Sequence, residues 1–109
     1  MKKVVESNEK WHKGEMGTNV YVEGWVNILA VTNALRMADK AGKLTPVGIR
    51  EAFEQFRGFD TGGLAPPLTF TKTDHRASMA AKIYEVKNDK IEAITTWIDL
   101  PRDKTYFGK

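Results

Sequence analysis

Residues 70–79 read FTKTDHRASM and set Asp74, His75 and Arg76 side by side, with Thr73 and Ser78 next to them. In an acyl-transfer arrangement His75 would be the base, Asp74 its orienting partner and Ser78 the nucleophile. The spacing opposes that chemistry. Neighbours on an extended strand point to opposite faces. A helical turn would bring Asp74 to Ser78 and leave His75 aside. A metal site meets a similar obstacle, because the two histidines, His12 and His75, stand far apart and lack clustered ligand spacing. No catalytic residue, metal ligand or cofactor is therefore expected. Two readings remain for Thr73, Asp74, His75 and Arg76. They form a polar connection that caps a turn, or a hinge at the mouth of a cleft. In the second case Arg76, with His75 beside it, offers a bidentate donor to a ligand carboxylate.

Other strings that suggest chemistry have plainer readings. Gly62-Gly63 lacks the lysine-serine pattern of a phosphate loop and reads as a turn. Tyr21 and Trp25, four apart, could wall a ligand; aromatics at that spacing read as core. Residues 87–90 are a solvated hairpin tip.

The positive charges are scattered, with Lys2-Lys3 the one adjacent pair and a formal net charge of only +3. That pattern argues for solubility and against a nucleic-acid partner. The absence of cysteine excludes disulfides, thiolate zinc sites and thiol catalysis within these residues. It leaves the compartment open. The opening MKKVVESNEKWHKGEMG has no apolar run and does not read as a secretory signal. No stretch reaches the roughly 18 apolar residues of a membrane span.

The elements that must position residues 70–79 follow from punctuation and period. Residues 1–18 form a polar N-terminal segment, with a short helix over 2–10 and a loop around Gly14 and Gly17. A long helix is predicted over 20–40, capped by Asn19 and stopped by Gly42. It is apolar on most sides, which implies burial on most sides. A second helix starts at Thr45-Pro46, carries Ile49, Ala52, Phe53 and Phe56 on one face, and stops at Gly58. Its Arg50, Glu51, Glu54 and Arg57 are expected to face water. A Gly/Pro turn leads to a short strand over 68–71. A hairpin follows, with arms 80–86 and 91–98 about Asn88-Asp89. Residues 99–109 are a tail. This is an α/β or α+β chain with more apolar faces than it can bury alone. It is expected to be a homo-oligomer or part of a larger fold.

The order of pieces resembles the C-terminal end of a periplasmic solute-binding protein. The family is the type I class of branched-chain amino-acid (Leu/Ile/Val) receptors of ABC transporters. The resemblance rests on YVEGWVNILAVTNALRMADKAGKLTPVGIREAFEQF and TGGLAPPLTFTKTDHRASMAAKIYEVKNDKIEAITTW. It covers residues 21–97. Within it, Gly24-Trp25, AGKLT, GGLAPPLTF and DHR before Tyr-Glu-Val are the fitting pieces. The resemblance implies the last quarter of a two-lobed α/β receptor, here two main helices followed by a short strand and a β-hairpin. Residues 19–70 would be N-lobe-like, 71–79 a crossover at the hinge, and 80–98 C-lobe-like. It implies a periplasmic or extracytoplasmic parent that delivers an amino acid or small carboxylate to an ABC permease. Met1 would be an internal methionine of that parent or the start of a truncated frame. Such a piece lacks most of the cleft and would bind ligand weakly or not at all. The alternative is a free-standing small domain that self-associates or binds a partner.

Overall fold

The structure, a computed structural model, describes residues 1–13 and 18–101. It is a mix of helices and small antiparallel sheets. Three helices come first: α1 (Lys2–His12), α2 (Asn19–Lys40) and α3 (Pro46–Phe53). Four short strands follow: β1 (Ala80–Ala81), β2 (Tyr84–Lys87), β3 (Lys90–Ala93) and β4 (Ile98–Asp99). The expected loop at Gly14 and Gly17 and residues 102–109 of the tail lie outside the described residues.

The start of α2 differs slightly from the sequence reading. Thr18, not Asn19, occupies the N-cap, and its side chain makes no capping bond. The other end follows the expected chemistry. Gly42 adopts φ 66°. Its N–H bonds the Asp39 carbonyl at 2.9 Å, and the Lys43 N–H bonds the Ala38 carbonyl at 2.8 Å. That is the paired closure in which glycine takes the left-handed position.

At the start of α3 the Gly48 N–H donates to Thr45 Oγ1 at 3.1 Å, with Pro46 in the first turn. This helix is shorter than its apolar spacing suggests. It ends at Phe53 and tightens through Gln55 N–H to Ala52 O and Phe56 N–H to Phe53 O. Arg57 explains the stop. Its Nη1 donates to the carbonyls of Glu54, Phe56 and Phe70 at 2.9, 2.7 and 2.6 Å. The carbonyls of Glu54 and Phe56, just past the helix, are thus given a cation.

The core lies between α2 and the segment from α3 to residue 70. Ala30, Ala34 and Ala38 line one face of α2 and meet Ala52, Phe56 and Leu68. Alanines let the α3 segment approach closely, and Phe56 fills the space between. Its ring meets Phe53, Phe59 and Phe70 at centroid separations of 5.3, 4.9 and 5.9 Å. Tyr21 and Trp25, expected as core, are half-buried and stand outside this cluster. The core face of α2 is set by its alanines, about 100° or more around the helix from Tyr21 and Trp25.

The strand expected over 68–71 does not form. A single antiparallel bridge joins Phe59 to Leu68. Pro66 and Pro67 supply no backbone donor before it. Beyond it, Thr69 N–H turns to Ala77 O at 2.7 Å and Phe70 N–H to Phe56 O at 3.4 Å.

The hairpin arms are each broken in two. β2 and β3 pair Tyr84 with Ala93 through Lys87 with Lys90. β1 and β4 pair Ala80 with Asp99 and Ala81 with Ile98. Asn88 and Asp89 hold φ 50° and 60°, the double left-handed turn that matches strand twist. Every residue of β2 and β3 is exposed, Val86 by 74% and Ile91 by 73%. No strand residue belongs to the core cluster. Among the described residues no helix is long and apolar enough to cross a membrane.

Two substitutions test this account. Phe56→Ala removes the side chain that joins α3 to the alanine face, and should cost about 3–5 kcal/mol in urea melts. Gly48→Ala would push a methyl group into the Lys43 carbonyl, and should cost about 1–3 kcal/mol. A melt unchanged by either would contradict the packing described.

Candidate functional site

The four residues singled out by sequence sit on the irregular crossover between Phe70 and β1. Thr71 starts it with a local turn. Its N–H donates to Asp74 O at 2.9 Å, and its Oγ1 accepts from Asp74 N–H at 3.0 Å. Asp74 then organises the next step. Its Oδ1 accepts from the Arg76 N–H at 3.0 Å and from Arg76 Nε at 2.9 Å. Its Oδ2 accepts from Arg76 Nη2 at 2.8 Å. This is a fork-to-fork pair between near neighbours, with both side chains about one-quarter exposed or less. A ligand carboxylate arriving at Arg76 would find Nε and Nη2 already bonded to Asp74. Thr73 is exposed.

His75 points the other way, toward α3. Its Nε2 lies 3.3 Å from Glu54 Oε1. Glu54 keeps only 10% of its side chain exposed, and Arg50 Nε stands 3.6 Å from the same oxygen. The expectation that Glu54 faces water is therefore corrected. The crossover folds back over α3 and covers the carboxylate, which is held between two nitrogen-bearing side chains. The Arg50–Glu54 contact was readable as an i, i+4 pair. The contact with His75 spans 21 positions and has no local signal.

Ser78 Oγ accepts the Ala80 N–H at 3.1 Å and so closes a small turn into β1. Asp74, His75 and Ser78 thus have three different partners: Arg76, Glu54 and the backbone. Gly62 and Gly63 hold φ 70° and 80° in a turn begun by Asp60, whose Oδ1 accepts Gly62 N–H at 2.8 Å. The buried Thr61 hydroxyl exchanges two bonds with the Ala65 backbone.

A groove of about 340 Å³ opens where the crossover meets α3. Pro46, Ile49, Phe53 and Phe70 give it an apolar floor, and Arg50, Glu54 and His75 give it a polar rim. The lining carries no hydroxyl, thiol or amine nucleophile. Among the described residues no three His, Cys, Asp or Glu side chains are grouped to hold a metal ion.

No family model, no curated protein and no solved structure matches the chain.

The geometry makes Asp74 the organiser of the crossover and His75 a surface tie. Asp74→Ala removes the acceptor of three bonds and should destabilise the chain by about 1–3 kcal/mol. His75 is 59% exposed, so a double-mutant cycle of His75→Ala with Glu54→Gln should give a coupling under about 1 kcal/mol. A larger coupling for His75–Glu54 than the whole Asp74→Ala effect would reverse these roles.

Proposed function

We propose that the chain is the C-terminal portion of an extracellular ligand-binding receptor of an ABC transporter, for amino acids or small carboxylated compounds. The observation that carries this reading is the crossover. Residues 71–79 lead out of a helical body whose core ends at Leu68 and Phe70, and into a hairpin with no core of its own. A two-lobed receptor needs such a connection where the chain passes between lobes and where closure bends it. The internal Asp74–Arg76 pair supports the reading, since it gives the connection a local shape of its own. The open apolar faces of α2 and of the hairpin support it as well. They are surfaces that the remainder of two lobes would cover.

On this reading the work is capture by domain closure, with no bond made or broken. The periplasmic or extracytoplasmic setting, the permease partner and the solute belong to the whole receptor. Arg76 and His75 would lie at the mouth of its cleft. There Arg76 would meet a solute carboxylate with its Nε and Nη2 already bonded to Asp74. The chain by itself carries too little of a cleft to hold a solute tightly.

The coding sequence upstream of Met1 tests the proposal. An in-frame continuation encoding the rest of a two-lobed receptor is expected; a ribosome-binding site directly before Met1 would overturn it. Calorimetry of the purified chain with amino acids and small carboxylates should show no binding tighter than about 1 mM. Micromolar binding would contradict the statement that the cleft is incomplete. In the whole receptor, Arg76→Ala should weaken solute binding, and unchanged affinity would remove Arg76 from the cleft.

A further inference from the structure

We infer that the crossover bends at one place, Ser78, and that residues 71–77 stay with the helical body as its fixed end. The bonds that carry this are the chain's own and do not depend on the receptor reading. The excursion out of the core closes on itself. Thr69 N–H donates to Ala77 O at 2.7 Å, so the chain that leaves at Phe70 is back beside Thr69 by Ala77, a loop with its ends together. Thr69 is itself held, since its Oγ1 accepts the Gly58 N–H at 2.9 Å. Between these ends the Thr71–Asp74 turn and the Asp74–Arg76 fork set the shape. His75 reaches Glu54, the C-cap of α3, at 3.3 Å. Ala77 packs against the core cluster and, among the described residues, is the last of the chain to do so.

From Met79 onward the bonds belong to the strands. Met79 O accepts the Leu100 N–H at 3.0 Å, and Ala80 pairs with Asp99. Ser78 lies between the two sets. Among the described residues its backbone makes no hydrogen bond. Its Oγ accepts the Ala80 N–H at 3.1 Å. Each residue has two soft backbone torsions. A turn about the Ser78 N–Cα bond breaks none of these hydrogen bonds. A turn about its Cα–C bond breaks only the link from Ala80 to Oγ. A turn at any residue from Thr71 to Arg76 would instead open the closure between Thr69 and Ala77. The neighbours suit a swing as well: Ala77, Ala80 and Ala81 are small, and hinges are a few residues, often small, that absorb large torsional changes.

The bend is thereby moved away from Thr73, Asp74, His75 and Arg76. Those residues keep their places beside α3 while the hairpin turns. Within the receptor reading, and resting on it, His75 and Arg76 would stay with the helical lobe throughout closure.

Because the chain has no cysteine, pairs of introduced thiols can carry spin labels on the full chain, and the width of each distance distribution reports relative motion. Arg36, Thr73, Ala81 and Lys90 are exposed. Arg36→Cys with Thr73→Cys, and Ala81→Cys with Lys90→Cys, should each give a narrow distribution. Arg36→Cys with Lys90→Cys should give one at least about twice as wide as either. Ser78→Gly should widen this third distribution at least about twofold further and leave the first two unchanged, whereas Thr73→Gly, inside the closed loop, should not widen it. A broad first distribution would put the bend inside the crossover and overturn the inference. A broad second one would mean that the hairpin melts rather than swings, and would overturn it too. So would a third as narrow as the others, or one widened as much by Thr73→Gly as by Ser78→Gly. The coding sequence upstream of Met1, which decides the receptor reading, bears on none of these widths.

Discussion

The contact between Phe56 and the alanine face of α2 is the constraint on which the other features depend. Three alanines one turn apart give α2 a smooth surface, and a smooth surface can accept a helix and a large ring only at close range. Once Phe56 is seated there, Phe53, Phe59 and Phe70 gather around it. Phe70 in turn fixes where the chain must leave the helical body. The Arg57 guanidinium locks this corner by bonding three carbonyls, those of Glu54 and Phe56 just past α3 and that of Phe70. The crossover begins at the next residue. Its placement is therefore a result of core packing rather than of its own polar sequence.

The crossover is ordered by different means. Asp74 gathers one backbone and two side-chain donors within two residues, which shapes the segment locally. His75 and the bond from Thr69 to Ala77 then lay it along α3. Beyond Ser78, among the described residues, no bond of this kind to the helical body recurs. The hairpin is held by its own ladder and turn, and a two-stranded ribbon is marginal in water without a surface to pack on. Like charges face each other across it, Glu85 with Glu92 and Lys87 with Lys90, which weakens it further. Stability thus falls from the helical body to the hairpin. The radius of gyration, 16.7 Å, exceeds the roughly 13 Å of a compact chain of this length.

Much of this was legible in the sequence, and the exceptions have physical causes. Thr45-Pro46 marked the start of α3 and Gly42 the end of α2, because capping chemistry is local. The turn at Asn88-Asp89 was legible for the same reason. The surplus of apolar faces on α2 was visible from its period. Which face would be buried was not. Tyr21 and Trp25 have the larger side chains, but the close approach of α3 selects the alanines, and that selection depends on residues over twenty positions away. The stop at Phe53 and the burial of Glu54 were missed similarly. Both depend on Arg57 and His75 reaching across the chain, and no periodicity reports such contacts. At the candidate site, sequence located the polar cluster and disfavoured a triad on spacing grounds. It could not show that Arg76 is already matched by Asp74.

The central claim is that one packed body, α2 with α3 and the phenylalanine cluster, carries the chain's stability while the hairpin stands without a core. Amide hydrogen exchange tests this most directly, since protection reports local opening free energy. The account predicts that the amides of Ala34, Ala38 and Phe56 exchange slowest, and that those paired across β2 and β3 exchange at least about a hundredfold faster. Equal protection in hairpin and helices, lost together in one cooperative step, would contradict it.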